Sequence, residues 1–222
     1  MRKLNRPQPA PTALGNYNHQ THDWTSRKPS KACRVEIWQK FEAMQGRFCA
    51  FCERITCQGT GHIEHFFHKG QKPDGSAPYK HLTFVWDNLF GCCGVSTSNT
   101  CGHYKDREGP QGPGAYDPND LIKPDNEDPS LFFSFLDTGL VEAKEGLTEQ
   151  SKHRANETIR VLNLTALNGE RKRQIDIFKK ELKELAEISD GLSIAELNQE
   201  LDRIKNQIRQ QEYQTAVINS LF

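Results

Sequence analysis

The chain has 222 residues, enough for one large domain or two small ones, and its formal net charge is zero. Only 35% of the residues are hydrophobic, and no apolar run approaches the roughly 20 residues that a membrane-spanning helix needs. The basic start, Met1 to Arg6, leads into Pro-rich sequence rather than into an apolar signal core. The sequence therefore predicts a cytoplasmic protein without a membrane segment.

Positive charge and reactive side chains are concentrated in the first half. Residues 1–110 hold 15 Lys and Arg against 9 Asp and Glu, whereas residues 111–222 hold 14 against 20. All seven cysteines and seven of the eight histidines also lie in residues 1–110. This surplus suits a polyanionic substrate, because phosphate neutralisation drives most nucleic-acid affinity, although a surplus of this size is also within ordinary scatter. An odd number of cysteines in a cytosolic protein favours metal binding over disulfides.

The N-terminal part of the chain predicts an irregular arm followed by a helix. Residues 5–31 are rich in Pro, Asn, Thr and Ser, and Tyr17 and Trp24 are suited to pin this arm to the core. Residues 32–45 carry apolar side chains near the 3.6-residue spacing of an α-helix.

The middle of the chain predicts short elements separated by loops. Residues 63–67 favour a strand, and residues 81–89 hold enough apolar side chains for a buried strand or a short helix. Residues 69–80 and 108–120 contain Gly and Pro and predict loops. A Gly turn between two apolar runs predicts a β-hairpin at residues 131–143.

From about Lys152 the pattern becomes helical. Ser193 and Glu196 have the spacing of a capping box, which would separate one amphipathic helix from the next. The apolar residues of both helices step by three and four: Ile175, Phe178, Leu182, Leu185, Ile194, Leu197, Leu201, Ile204 and Ile208. They predict a helical hairpin whose apolar seams either pack on each other or dock a partner.

The cysteines predict a structural zinc site. Cys49 and Cys52 have the Cys-x-x-Cys spacing of a zinc knuckle, and four thiolates in tetrahedral geometry close such a site. Cys101 is the expected third ligand. Either Cys92 or Cys93 supplies the fourth, since adjacent cysteines rarely bind one ion together, and we favour Cys93.

Four polar residues inside this cysteine frame have the chemistry of a hydrolytic site. Glu64 can hold a hard cation such as Mg²⁺, and His65 can take a proton from water near neutral pH. Asn88 can orient His65 or brace its loop, and His103, beside the cysteines, can be the second ligand of the catalytic metal. Each residue alone has an ordinary structural explanation, but in this order they jointly favour a nuclease.

The order Cys-x-x-Cys, Glu-His, Asn-Leu, Cys, Cys-x-His-x-Lys resembles the HNH endonucleases, which have a ββα-metal fold. The resemblance implies that Glu64 and His103 bind the catalytic ion, Mg²⁺ or Mn²⁺. It further implies that His65 activates water and that Asn88 positions it. The metal would polarise the scissile phosphate and stabilise the leaving oxygen.

The substrate implied by this resemblance is nucleic acid, either DNA or an RNA such as tRNA. Lys69 and Lys105 are the candidate contacts to its phosphates. No base-reading motif is visible in the sequence that would decide between the two substrates.

The similarity extends to the PtuB family, the HNH nucleases of Septu and retron-associated defence systems. It covers the opening at residues 1–4, the block at residues 86–89, the Phe-rich hairpin and the helical stretch at residues 155–164. It implies a toxic antiphage effector restrained by a PtuA-like ATPase and, in retron systems, by a reverse transcriptase with its multicopy single-stranded DNA (msDNA). His68 stands where this family commonly has Pro, so the role of this histidine is open.

Two other functions fit part of the pattern. His62 and Glu64 match the HxE signature of zinc deaminases, but that chemistry needs a downstream PCxxC, which is absent from the sequence. A non-catalytic zinc-binding adaptor that bridges nucleic acid and a partner accounts for the cysteines and the basic charge. It leaves the Glu-His pair, Asn88 and His103 without a joint purpose.

The sequence therefore predicts an α+β protein in four segments. Residues 1–47 form an N-terminal arm and helix, and residues 48–110 form the zinc-stapled core, which the resemblance makes a ββα-metal (HNH) nuclease core. Residues 111–150 form a loop and a small β-hairpin. Residues 151–222 form the C-terminal helical hairpin, where we expect the ATPase to dock.

Overall fold

The computed structural model describes residues 1–71 and 75–222. In these ranges the fold combines helices with two-stranded antiparallel sheets, in agreement with the predicted α+β class. The elements are α1 (Lys31–Gln45), β1 (Gly61–His65), β2 (Leu89–Cys93), α2 (Cys101–Lys105), β3 (Phe133–Phe135), β4 (Val141–Ala143), α3 (Glu149–Val161), α4 (Asn168–Ile188), α5 (Ile194–Ile208) and α6 (Gln214–Leu221). No helix in the described ranges is long and apolar enough to cross a membrane.

Strands β1 and β2 pair antiparallel, and α2 follows them in the chain. The strand predicted at residues 63–67 lies two residues earlier. It ends at His65 because the Asn88 side chain takes the place of a partner strand: it accepts from the Phe67 N–H at 2.7 Å and donates to the Phe67 carbonyl at 3.0 Å. The predicted loop at residues 69–80 includes residues 72–74, which lie outside the described residues.

The sequence predicts a buried strand or a short helix at residues 81–89, and the structure has short helical turns rather than a strand over most of this stretch. Two short 3₁₀ turns, Lys80–Leu82 and Trp86–Asn88, occupy this stretch, and β2 begins only at Leu89. Its aromatic side chains pack against other elements: Trp86 stacks on Phe41 of α1, with ring centroids 5.4 Å apart. Burial of these rings by neighbouring elements explains the apolar run without a regular element.

The N-terminal arm packs on the core through the two aromatic residues that the sequence singled out. Tyr17 stacks on Phe84 at 5.4 Å, and Trp24 stacks on the same ring at 5.7 Å. The edge of Trp24 also meets the imidazole of His65 at 4.6 Å. The arm therefore forms one wall beside a predicted site residue.

Helix α1 forms where the sequence predicts a helix, and it packs against β2. Its buried face includes Ile37 and Phe41. From its last turn, the Gln45 amide accepts from the Gly91 N–H at 3.1 Å and donates to the Gly91 carbonyl at 2.8 Å. A side chain thus completes the hydrogen bonding of a fully buried strand, which fixes β2 in place.

The second half of the chain contains the predicted hairpin and helices. Strands β3 and β4 pair across the turn at Gly139. Helices α4 and α5 pack their apolar seams on each other, and the capping box at Ser193 opens α5. The seam is completed by α6, which the sequence did not predict: the buried cluster is Ile175, Phe178, Leu185, Ile204, Ile208 and Val217.

Helix α6 is fastened to the cysteine knuckle. The buried Glu53 carboxylate, directly after Cys52, accepts a hydrogen bond from the Thr215 N–H at 2.9 Å and another from its hydroxyl. Glu53 thereby caps the first turn of α6 from a distant part of the chain. The α-amino group of Met1 lies 3.3 Å from the same carboxylate, so both chain ends meet at the knuckle.

Candidate functional site

Four buried cysteines form a potential metal centre between the knuckle, the end of β2 and the start of α2. The Sγ atoms of Cys49, Cys52, Cys93 and Cys101 all lie within 4.8 Å of one another. The Cys52–Cys93 and Cys93–Cys101 separations are 3.4 and 3.9 Å. A tetrahedral zinc site with Zn–S bonds of about 2.3 Å requires about 3.8 Å between sulfurs. The four thiols therefore fit a structural zinc ion.

Two residues at this cysteine cluster have an unusual backbone conformation. Cys101 has φ +58° and Glu53 has φ +66°, in the left-handed region that non-glycine residues rarely adopt. The Cys101 N–H donates to the Leu162 carbonyl at 2.8 Å, which anchors this conformation. Hydrogen bonding, chiefly with Cys101, lowers the pKa of Cys93 to about 6. A lowered pKa favours the thiolate, the form that binds metal.

Cys92 lies outside this group and has a different role. Its Sγ atom is 3.8 Å from that of Cys49, but it accepts the Gly102 N–H at 3.3 Å. This bond holds the first turn of α2 against β2. The structure thus brings Cys93, the residue favoured from sequence, into the four-thiol cluster and uses Cys92 to position a helix.

An open pocket of about 370 Å³ adjoins the cysteine cluster. It brings together four of the predicted site residues, which come from β1, the loop after it and α2. Its lining consists of His62, Ile63, Glu64, His65, Lys69, Ser96, Gly102, His103, Asp106 and Arg107. The predicted residues Asn88 and Lys105 are not part of this lining.

Glu64 is the buried carboxylate at the base of the pocket, with 4% of its surface exposed. Its Oε1 lies 2.9 Å from the Lys105 ammonium, and its Oε2 lies 3.0 Å from His62 Nε2. Burial alone would raise the pKa of Glu64, but the charge of Lys105 and the bond to His62 outweigh it, so the pKa lies well below its usual range. Glu64 is therefore an anion at neutral pH.

Gly102 makes room for this carboxylate. A Cβ atom at residue 102 would lie 2.0 Å from Glu64 Oε2, so any other residue would displace the acid. The glycine between Cys101 and His103 thus lets the carboxylate of β1 approach the backbone of α2. A small residue in a metal-ligand motif was visible in the sequence, but this steric role was not.

Lys105 differs from its expected role as a phosphate contact. Its side chain is fully buried and pairs with Glu64 and Asp106, and it donates to the His65 carbonyl at 3.1 Å. These partners raise the pKa of Lys105 despite its burial. The ammonium is thus a counter-ion inside the site, whereas Lys69 lies in the pocket wall.

His65 points away from Glu64, as alternation along a strand requires, yet both line the pocket from the strand end. The Nε2 atom lies 2.9 Å from the Thr83 carbonyl, so Nε2 carries the proton and donates it. Burial, followed by the charge of Lys69, lowers the pKa of His65 to about 3. The ring is therefore neutral at pH 7, and its Nδ1 is a proton acceptor.

Asn88 braces the loop that follows His65. Besides its two bonds to Phe67, its amide donates to the Leu82 carbonyl at 3.2 Å. It is buried and contacts no reactive side chain of the pocket through these bonds. Of the two roles that the sequence left open for Asn88, the structure supports the brace.

His62 is the pocket residue that sequence reasoning left without a role. It is two residues from Glu64 on β1 and therefore lies on the same strand face. Its ring lies against that of His103, with centroids 3.8 Å apart. The sequence signal that could have identified it is the two-residue period of a strand, which places His62 and Glu64 on the same face. His68, whose role was open, pairs with Asp106 at 2.6 Å and does not line the pocket.

Comparison with known proteins adds no family assignment. No protein-family model matches this chain, and no curated protein sequence matches it.

Proposed function

We propose that this protein is a metal-dependent HNH-type endonuclease that hydrolyses phosphodiester bonds in DNA or tRNA. The observation that carries the proposal is the single open pocket that unites Glu64, His65, His103 and Lys69. The resemblance of their sequence order to the HNH nucleases supports the same reaction. We further propose that the four buried thiols hold a structural Zn²⁺.

In this proposal His65 is the general base. The bond from its Nε2 to Thr83 fixes the tautomer and leaves Nδ1 unprotonated, and this nitrogen is the proposed acceptor of the proton from water. The edge contact with Trp24 restrains the ring. His65 takes one proton from the water as the oxygen attacks phosphorus.

Glu64 and His103 would hold a catalytic divalent ion, Mg²⁺ or Mn²⁺. The buried anionic carboxylate over Gly102, with an imidazole from α2 nearby, is a donor set suited to such an ion. When bound, the ion supplies electrophilic stabilisation of the phosphate and of the leaving oxygen. Lys105 holds Glu64 in place, and Lys69 and Arg107 offer positive charge to the substrate phosphates.

The test is a cleavage assay on purified protein with supercoiled plasmid and total tRNA in parallel. Each substrate is incubated with Mg²⁺, Mn²⁺ or EDTA. Wild type is compared with His65→Ala and with His153→Ala, an exposed histidine on α3 outside the pocket. We expect metal-dependent cleavage that falls by about 10²-fold or more in His65→Ala, the magnitude typical of general-base catalysis, and that persists in His153→Ala.

Equal cleavage by His65→Ala and wild type would refute the assignment of the base. If folded, zinc-loaded wild type binds nucleic acid but cuts neither substrate, alone or with its partner, the protein is the adaptor instead. Plasmid or tRNA cleavage identifies the substrate class.

We also propose that the nuclease is the effector of an antiphage complex with a PtuA-type ATPase. The resemblance supports this partner, as do exposed Ile177, Ile188 and Ile194 on the α4–α5 hairpin, with 57%, 61% and 81% exposure. Deleting the C-terminal residues would test this poorly, because α6 packs in both hydrophobic clusters.

Surface substitution is the sharper test of the ATPase proposal. Ile188→Glu and Ile194→Glu should abolish co-purification with the ATPase without changing thermal stability. Glu substitution of Val95, also exposed but far from the hairpin in the sequence, is the control. Retention of the complex by both hairpin variants would refute docking at this face.

A further inference from the structure

We propose that His62 is a third ligand of the catalytic ion, and that the site therefore prefers a transition-metal ion such as Mn²⁺ to Mg²⁺. This inference rests on the proposed metal site at Glu64 and His103. It adds a ligand and a metal preference to it.

Two donor atoms on β1 already have the spacing of metal ligands. His62 and Glu64 share one strand face, and Nε2 of the imidazole lies 3.0 Å from Oε2 of the carboxylate. Two neighbouring ligands of an octahedral ion with bonds of about 2.1 Å lie about 3.0 Å apart. The two atoms are therefore already separated as ligands of one ion would be.

The His62 side chain has few polar partners in the described part of the protein. Its Nδ1 atom is buried without a hydrogen-bond partner among the described residues. The His62 ring also lines the pocket, together with Glu64 and His103. The bond from Nε2 to Glu64 is the one hydrogen bond of this ring within the described ranges, and a bound ion would take the place of its shared proton.

His103 lies next to this pair. Its ring lies against that of His62, with centroids 3.8 Å apart, and both rings border Glu64. The donor atoms of these three side chains do not all lie within 4.8 Å of one another, since only the cysteines meet that criterion among the described residues. Ion binding thus has to draw His103 toward the preformed pair of His62 and Glu64.

Two imidazoles and one carboxylate define the metal preference. Mg²⁺ favours oxygen ligands and retains its water, whereas imidazole nitrogen suits first-row transition ions. With His62 included, nitrogen donors outnumber the carboxylate in the protein's ligand set. With Glu64 and His103 alone, no such majority exists.

The experiment measures Mn²⁺ binding to full-length, zinc-loaded protein without nucleic acid. Free Mn²⁺ is quantified by electron paramagnetic resonance, Mg²⁺ is added as competitor, and pulsed measurements detect ¹⁴N coupling from bound imidazole. The variants are His62→Ala and His62→Gln. Gln retains a donor to Glu64 but is a poor ligand. His153→Ala is the control, since this histidine also pairs with a carboxylate but lies outside the pocket.

We expect wild type to bind Mn²⁺ much more tightly than Mg²⁺, with ¹⁴N coupling from two imidazoles. Both His62 variants should lose one coupling, and their Kd for Mn²⁺ should rise by about 10-fold or more. His153→Ala should match wild type. If His62→Gln keeps wild-type affinity and both couplings, or if Mg²⁺ competes equally, the proposal is overturned.

The result is separable from the outcome of the cleavage assay. Protein that binds Mn²⁺ through His62 but cuts no nucleic acid would retain this inference and refute the nuclease. Protein that cuts nucleic acid and binds Mn²⁺ equally well with His62→Gln would retain the nuclease and refute this inference.

Discussion

The region around the pocket and the α4–α5 hairpin use charged side chains differently. In the pocket region, the ion-paired side chains of Lys105 and Glu64 are 0% and 5% exposed. In the hairpin, the Lys172–Asp176 pair is 50% and 52% exposed. The pocket region therefore keeps an ion pair away from water beside its potential metal sites, whereas the ion pairs within the hairpin lie at its surface around a buried apolar seam.

This difference indicates where each region obtains its stability. Helices α4, α5 and α6 pack around a buried apolar cluster, and the buried Arg171 at the start of α4 donates hydrogen bonds to the carbonyls of Gly139 and Leu164. A buried carboxylate, in contrast, needs a counter-ion, and four buried cysteines in the thiolate form need a bound metal. We therefore expect metal removal and substitutions of charged residues to destabilise the pocket region strongly and the hairpin only weakly.

Removal of the proposed zinc should have the largest effect. Structural zinc contributes about 10–16 kcal/mol of apparent binding free energy, comparable to the whole stability of a domain. All three tryptophans, Trp24, Trp38 and Trp86, lie in the first half, so their fluorescence reports on that half. Upon chelation, we expect the fluorescence to become that of unfolded protein, while circular dichroism at 222 nm retains the hairpin signal.

Cys49→Ser should reproduce the chelation result, and Cys57→Ser is its control because Cys57 is an exposed thiol outside the cluster. A fully parallel loss of both signals would show that the two regions unfold as one unit. Unchanged fluorescence after verified zinc loss would refute the structural role of the metal.

Lys105→Met should have the next largest effect. The substitution retains the length of the side chain but leaves the buried Glu64 with only His62 as partner. Breaking a buried ion pair from one side costs about 3–5 kcal/mol. The matched change in the hairpin, Lys172→Met, removes an exposed i,i+4 pair and should cost less than about 0.5 kcal/mol. Urea denaturation of both variants measures the difference, and equal losses would contradict the comparison.

The next prediction separates two residues that the sequence pattern treated alike. Ile204 and Ile194 both belong to the predicted seam of α5, but their exposures are 0% and 81%. Ile204→Ala should lower the free energy of unfolding by about 3 kcal/mol through cavity formation. Ile194→Ala should change it by less than about 0.5 kcal/mol. Similar values for the two variants would place Ile194 in a buried contact in solution.

The same two regions differ in how much of them the sequence predicted. Periodicity identified the hairpin and its capping box, because one apolar face per helix leaves a repeating signal. It did not identify α6, whose first turn is capped by Glu53, 162 residues away in the chain. No local pattern contains information about such a partner.

In the pocket region, the order and spacing of residues in the sequence predicted the four clustered cysteines. They also predicted that Glu64, His65 and His103 share one site. They did not show that Lys105 is buried as a counter-ion, because a lysine in a short helix is usually exposed. Nor did they show the Asn88 brace that ends β1 at His65. Both depend on tertiary contacts between elements separated by loops.

The smallest expected loss of stability comes from substituting the serine that caps a helix in each region. Ser193 opens α5 with a reciprocal capping box: its hydroxyl accepts the Glu196 N–H at 3.3 Å, and Glu196 accepts the Ser193 N–H at 2.8 Å. Ser30 opens α1, but its hydroxyl makes only one such bond, to the Cys33 N–H at 3.3 Å. Ser193→Ala should cost about 1 kcal/mol and Ser30→Ala about 0.5 kcal/mol, within the range for N-cap removal. Thermal denaturation gives both values. A greater loss of stability for Ser30→Ala than for Ser193→Ala would contradict this ranking of the two caps. It would mean that the start of α1, the helix that packs against β2, contributes more to stability than its single hydrogen bond indicates.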